Sequence, residues 1–301
     1  MWGLDVTLMG IITLKEGKDR NERFDALAEI LKTEDYDLVL LQEVWKLDNY
    51  ETLVEKTSDV LPYHASSHID SVCSSKIVKQ FQQNCAGLLI LSKHPLDNVE
   101  FTQYESMGIG GVFGHFEQFV GKGVLEARLA IGNVSVDVFN THLVSYTEDD
   151  GLDIDHNGVR ANQVSTLLER IQASDADVKI FGGDMNAFPI KDNDNSPYAR
   201  LTYEMIDSFV DRYPYQVGKP EFATYGKDGN TYTGNKPDVT LDYLMHWANP
   251  SGWTMATTVF KIPEYKAVLE NGKEVTISDH EALHAEYLIA PNDECKYFGY
   301  P

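Results

Sequence analysis

The sequence predicts an α/β fold in one domain, with two β-sheets packed face to face and helices on the outside. Three observations predict it. Apolar runs of strand length outnumber amphipathic helical stretches, the two kinds of segment alternate along the whole chain, and nothing between them reads as an interdomain linker. With 301 residues, 43% of them apolar, the chain can bury a substantial core.

Phe24, Leu27, Ile30 and Leu31 recur at helical spacing, so a helix is expected over Asp25 to Lys32. It leads into Tyr36 to Gln42, whose continuous apolar stretch from Leu38 to Leu41 suits a strand covered on both faces. Strands are next expected over Ala86 to Leu91, Val124 to Ala130 and Val134 to Asn140. A second helical stripe, formed by Val159, Val164, Leu167, Leu168 and Ile171, feeds Asp177-Val178-Lys179-Ile180-Phe181-Gly182-Gly183, repeating the helix-then-strand pattern. Thr240 to Leu244, Thr254 to Phe260 and Ala282 to Ile289 complete the expected strands, while Lys191 to Pro197 and Gly226 to Pro237 have the composition of loops.

The formal net charge of -22 repels polyanions, so nucleic acid is not expected as a tight partner, although a bound divalent cation would invert the electrostatics of a cleft. No segment approaches the roughly 18 to 20 consecutive apolar residues of a membrane span. Met1 to Asp5 lacks the charged and then apolar blocks of a signal peptide, and a soluble or peripheral protein, secreted or cytosolic, is expected. Cys73, Cys85 and Cys295 include no CxxC pair, which argues against a zinc site; Cys73 and Cys85 could bridge a loop or remain separate thiols.

Acids, amides and histidines gather at the ends of the expected strands. Glu43 closes the first, Asn140 and His142 another, Asp184 and Asn186 a third; Asp242 lies within Leu241-Asp242-Tyr243-Leu244, and Asp279-His280 precedes the last. Taken singly, each has a structural explanation: a helix-terminal acid for Glu43, turn formers for Asp184 and Asn186, a core histidine for His142, a cap for Asp279-His280. Jointly they suit phosphodiester hydrolysis. Glu43 can ligate a hard cation such as Mg²⁺, which takes oxygen ligands. His280 is the candidate general base with Asp242 or Asp279 fixing its tautomer, Asp184 and Asn186 can orient a water, and His142 can donate to the phosphate.

Leu40-Leu41-Gln42-Glu43-Val44-Trp45, Asn140-Thr141-His142-Leu143, Gly183-Asp184-Met185-Asn186, Leu241-Asp242-Tyr243 and Ser278-Asp279-His280-Glu281-Ala282-Leu283 resemble, in order, the signature segments of the endonuclease/exonuclease/phosphatase (DNase I-like) superfamily. Leu91-Ser92-Lys93-His94-Pro95 and Gly121-Lys122-Gly123 narrow the resemblance to the neutral sphingomyelinases. The resemblance runs from about Asp19 to Ile289. It implies a four-layer α/β sandwich of two packed mixed β-sheets flanked by helices, and Mg²⁺-dependent hydrolysis of sphingomyelin to ceramide and phosphocholine, with Mn²⁺ or Co²⁺ as substitutes. Glu43, Asp184, Asn186 and Asp279 are the implied metal ligands, and Lys122 and Asn140 the implied substrate-binding residues, Lys122 having an ordinary solvated turn lysine as its alternative.

The implied partner is sphingomyelin or a related phospholipid at a membrane surface, met by peripheral contact, with no protein partner. Phe113, His115, Phe116, Phe119 and Val120 form an aromatic-rich stretch that is either core or a lipid-facing patch. The family also carries a metal-site asparagine on its first strand, before a Trp-Gly pair. If Trp2-Gly3 is that pair, the asparagine and its strand lie upstream of Met1; if Met9-Gly10 takes its place, Thr7 stands where the asparagine would be. Two rival functions share these residues: another phosphohydrolase of the same fold, either a nuclease or an inositol-phosphate phosphatase, and a catalytically impaired relative that binds lipid.

Overall fold

A computed structural model describes residues 6–8, 12–15, 17–67, 86–105, 121–145, 156–189, 196–214 and 222–292, the first two segments and residue 156 by their backbone alone. In chain order the elements are β1 (Val6–Leu8), β2 (Ile12–Lys15), α1 (Arg20–Thr33), β3 (Leu38–Leu41), α2 (Leu47–Thr57), β4 (Tyr63–Ser66), β5 (Leu89–Ser92), β6 (Asp97–Gln103), β7 (Gly123–Ile131), β8 (Val134–His142) and α3 (His156–Ala173). They continue with β9 (Val178–Asp184), α4 (Pro197–Glu204), β10 (Ile206–Asp207), α5 (Ser208–Arg212), β11 (Asp242–Ala248), β12 (Trp253–Lys261), β13 (Lys266–Val268), β14 (Glu274–Thr276) and β15 (His284–Pro291).

One sheet has the order β10-β11-β9-β8-β7-β6 and is mixed, because β8 and β9 run parallel while the other neighbours are antiparallel. Facing it are β3-β5-β4 and the β12-β15 pair. The filling between the two layers comes from Leu88 and Ile90 of the β5 region, Leu125 and Ala127 of β7, Val136 and Val138 of β8, and Met255 of β12. The outward faces of the same strands are covered as well. Phe139, Phe181, Tyr243 and Met245 pack on Val164, Leu167 and Ile171 of α3 and on Tyr198 and Leu201 of α4, while Leu89 and Leu91 pack on Phe24, Leu27 and Leu31 of α1 and Leu53 of α2. Alternate residues of a strand point to opposite faces, so Leu89-Ile90-Leu91 is apolar throughout because it meets helices on one side and the partner sheet on the other. Helix, sheet, sheet and helix give the four-layer sandwich expected from the resemblance.

Two expectations shift. Leu38 to Leu41 is half-buried rather than buried, because β3 is the end strand of its sheet among the described residues. The strand expected from Thr240 begins only at Asp242. Within the expected loop Lys191 to Pro197, Ser196 caps α4 by accepting a hydrogen bond from the Ala199 amide at 3.1 Å, with Pro197 in the first turn. In β1, Thr7 lies opposite Thr13 of β2; Trp2-Gly3, Met9-Gly10, the three cysteines and the Phe113 to Val120 stretch lie outside the described residues.

Candidate active site

Strand register assembles the centre of the site. In the parallel pair β8 and β9, His142 stands opposite Asp184. In the antiparallel pair β9 and β11, Asp184 stands opposite Asp242. Three chemically active residues distant in sequence therefore form one row across the rim of the six-stranded sheet. Asp242 comes from the start of its strand and the other two from the ends of theirs, as the opposed strand directions require. The residue before Asp184 must be glycine, since a Cβ on Gly183 would lie 2.1 Å from the Thr141 carbonyl oxygen.

A fourth group enters from the turn before β15. The His280 amide donates to Ser278 Oγ at 3.2 Å, Asn230 Nδ2 donates to the Ser278 carbonyl at 3.0 Å, and the Tyr225 ring lies 4.9 Å from the His280 ring. Asp242 Oδ2 sits 2.8 Å from His280 Nδ1, which leaves Nε2 at 3.8 Å from Asp184 Oδ2. His142 Nε2 approaches that same carboxylate oxygen at 3.4 Å, with its own ring beside Trp45. The other Asp184 oxygen accepts the Asn186 amide at 2.8 Å, and Asn186 takes the left-handed conformation, with φ of 47°, to make that bond.

Burial opposes the charged form of His280, but Asp242 and Asp184 more than compensate and push its pKa up to about 10. Burial, reinforced by the Asp242 charge, pushes Asp184 up to about 7 against the pull of His280 and Lys122. The two therefore titrate as a coupled pair, the nearby carboxylates favouring a proton on His280 and burial favouring one on Asp184. Asp279, on the same turn, is raised by burial and lowered by the His280 charge, and ends below the ordinary carboxylate range.

Glu43 is placed by a cross-sheet hydrogen-bond staple. Asn140 Nδ2 donates to the carbonyls of Leu41 and Leu89 at 3.0 and 3.1 Å, and its Oδ1 accepts from Gln42 Nε2 at 2.7 Å. The chain then turns through Glu43 with φ of 62°, a strained conformation for a residue with a Cβ, before the Val44 amide bonds to the Gly87 carbonyl. Asn140 is thus fully buried with both ends of its amide committed to protein groups, among them the Gln42 side chain next to Glu43. Lys122 is also buried, with Nζ donating to the Leu143 carbonyl at 2.8 Å; the same oxygen accepts Asn186 Nδ2 at 3.2 Å. Lys122 is therefore a buried cation held at Leu143 and favouring the charged form of Asp184, in place of the solvated turn lysine that was the alternative.

Two donor sets face a cation. Asp184, Asp242 and His280 offer ligand atoms within 4.8 Å of one another; His280 already bridges the two carboxylates. Glu43 and Asp279 are two further carboxylates that add negative charge at Arg23 and Tyr225, and they offer oxygen-only donors. Oxygen-only donors fit a hard divalent cation better than an imidazole-containing set. Neither Arg23 nor Tyr225 was singled out from the sequence. An arginine in the first turn of a helix ordinarily reads as solvated, and Tyr225 falls just before a Gly-rich loop, so each becomes visible only through its contacts.

A sandwich that gathers carboxylates, amides and two histidines on one sheet rim is of the DNase I-like class. The chain belongs to the Endonuclease/Exonuclease/phosphatase family, whose model matches residues 7–280. It is 31% identical over 232 residues to "Inositol phosphosphingolipids phospholipase C" of Schizosaccharomyces pombe, covering 75% of this chain and 50% of that protein. It is 27% identical over 286 residues to "Sphingomyelin phosphodiesterase 2" of Mus musculus, covering 90% of this chain and 62% of that protein. The chain spans about half to three fifths of the length of such curated relatives. Among solved structures it superposes on TDP2 of D. rerio complexed with single-strand DNA product (TM-score 0.66, 14% identity, 90% of this chain and 93% of the other). A beta toxin mutant from Staphylococcus aureus with bound magnesium ions gives a TM-score of 0.60 at 16% identity, over 89% and 92% of the two chains. At these identities the structural likeness is one of fold.

Proposed function

We propose that the protein is a divalent-cation-dependent phosphodiesterase that hydrolyses sphingomyelin, releasing ceramide and phosphocholine. The observation that carries the catalytic part is the bridge from Asp242 through His280 to Asp184, with His142 on the same carboxylate oxygen. The names of the relatives support the sphingolipid class of substrate. Glu43 and Asp279 would hold the cation, Mg²⁺ being the fitting choice and Mn²⁺ or Co²⁺ its substitutes, and the bound ion would neutralise charge on the phosphate's non-bridging oxygens.

Asp242 fixes the tautomer of His280 and turns Nε2 toward Asp184. The Asp184 and His280 pair takes the proton of the attacking water, whose oxygen bonds to phosphorus. The bond from phosphorus to the ceramide oxygen breaks, and the departing alkoxide recovers a proton from the same pair. His142 donates to the phosphoryl group, while Asn186 holds Asp184 in place. The 3.8 Å approach of His280 Nε2 to Asp184 favours sharing the base role between them, where the motif alone points to His280. Contact with the lipid surface would be peripheral, and among the described residues no helix is long and apolar enough to cross a membrane.

The test is release of phosphocholine from sphingomyelin liposomes, with MgCl₂ and with a chelator, run beside plasmid nicking and cleavage of an inositol-phosphate sphingolipid. Mg²⁺-dependent phosphocholine release that is lost in His280→Ala supports the proposal. Nicking alone assigns the chain to the nucleases, release of inositol phosphate alone changes the head group, and silence in every assay favours a relative that binds lipid without turnover.

A further inference from the structure

Beside the row of catalytic side chains lies a cleft whose walls are aromatic and acidic. It encloses about 400 Å³ of empty space, its open mouth included, and Phe209, Phe222, Phe260, Asp207 and Asp242 are among its lining residues. The Phe209 ring centre stands 4.7 Å from that of Phe222 and 5.5 Å from that of Phe260, at interplanar angles of 52° and 66°. The three rings are thus inclined to one another and form a corner, not a stack. Tyr213 backs this corner, its ring 5.9 Å from Phe222 and its hydroxyl donating to the Phe260 carbonyl at 3.3 Å. Phe209 and Phe222 are half-buried, so neither is committed wholly to the core.

Hydrogen bonds fix the cleft to the catalytic row. Thr224 Oγ accepts the amides of Leu241 and Asp242 at 2.9 and 3.2 Å, and the Phe222 carbonyl accepts the Thr240 hydroxyl at 3.3 Å. The segment carrying Phe222 is thereby tied to the start of β11. Asp242, the first residue of that strand, lines the cleft and also bonds to His280 at 2.8 Å. A group seated in the cleft therefore adjoins the groups that act on the phosphate.

We propose that this cleft is the head-group subsite and that it takes the trimethylammonium group of phosphocholine. The inference rests on the phosphodiesterase reading above and selects among its head groups. Aromatic faces attract a cation through their quadrupoles, and a quaternary ammonium is weakly hydrated and presents methyl groups to them. The charged side chains lining the cleft among the described residues, Asp207 and Asp242, are both acidic and add to that attraction. A hydrocarbon chain would fill the apolar walls and gain nothing from the carboxylates. An inositol ring would set its hydroxyls against phenyl faces, which are poor hydrogen-bond partners.

The test measures, by calorimetry in MgCl₂, the binding of phosphocholine and of its neutral analogue in which a tert-butyl group replaces the trimethylammonium. Wild type should bind phosphocholine about tenfold more tightly than the analogue. Phe222→Leu and Phe209→Leu, which keep apolar bulk and remove a π face, should each cut that preference at least about threefold, whereas Phe222→Tyr should retain it. Equal affinity of wild type for the two ligands, or a preference unchanged in both leucine variants, would overturn the proposal. Should the leucine variants not fold, wild type decides through NMR: cross-relaxation from the N-methyl protons to phenylalanine ring protons supports the subsite, and its absence overturns it. Hydrolysis is read separately. Sphingomyelin turnover without any preference for phosphocholine over the analogue overturns the subsite and leaves the reaction. A preference lost in the leucine variants, in a protein that hydrolyses no sphingomyelin, supports the subsite and overturns the reaction.

Discussion

Asp242→Asn removes the negative charge 2.8 Å from His280 Nδ1 while keeping a side chain of the same shape. At that separation and an effective dielectric of about 20, the lost attraction is about 6 kcal/mol before relaxation, and breaking a buried pair typically costs about 3–5 kcal/mol. The His280 side chain retains 21% exposure and that of Asp242 13%, so the lower range applies. At about 1.4 kcal/mol per pH unit, the His280 midpoint should fall from about 10 by roughly 2–4 units. NMR titration of the His280 ring in chelator reads this directly. The sign of the stability effect follows from the raised folded-state value. His280 stabilises the ion-free fold fully below its unfolded pKa of about 6.5, and the contribution is lost as pH rises toward 10. Wild type should therefore lose stability across that window, and Asp242→Asn should lose much less. A His280 midpoint near 6.5 in wild type, or one unmoved in Asp242→Asn, would refute the assignment of Asp242 as the group that holds the proton on His280.

Glu43→Gln should weaken the Mg²⁺ dependence of turnover by at least about tenfold, and an unchanged titration would place the ligand elsewhere. Gly183→Ala should destabilise the fold by about 3 kcal/mol and abolish turnover, because the new Cβ would displace the Thr141 carbonyl and separate β8 from β9; urea denaturation and the activity assay read the two effects. Asn140→Ala should cost about 2–4 kcal/mol by leaving the Leu41 and Leu89 carbonyls without their donor, and should also weaken Mg²⁺ binding through Gln42 and Glu43. At the opposite rim, the Ser135 amide and hydroxyl hold the Asp177 carboxyl below its ordinary range. Its stabilisation is present above the unfolded pKa of about 3.9 and is lost as pH falls through the folded value, so Asp177→Asn should flatten the acid limb of a stability profile.

Much of this fold was legible in the sequence because its strands are covered on both faces. Leu88 to Leu91 reads as a continuous apolar run for that reason, β9 reads as a strand despite Lys179, and the two helical stripes that precede β3 and β9 carry the expected period. The short elements were hidden by the same logic: α2 and α4 bury only narrow stripes, and β6, with one edge pair and a bulge, has mixed composition. Motif positions also foretold that His142, Asp184, Asn186, Asp242 and His280 belong together. Their roles were less legible, because role depends on distance and on who shares a proton with whom.

Asn140 shows why. Its place in Asn140-Thr141-His142 is equally compatible with touching substrate and with holding the protein that touches substrate. The three hydrogen bonds to Leu41, Leu89 and Gln42 show the amide holding the protein around the site, which the motif alone does not reveal. Arg23 is the converse case: a residue with no motif around it whose burial between Ile277 and Tyr232 only the structure reveals. A site of this kind is read from sequence as a set of chemical types and from structure as a set of constraints. The constraints, more than the types, determine which substitutions would change metal binding without touching the reacting atoms.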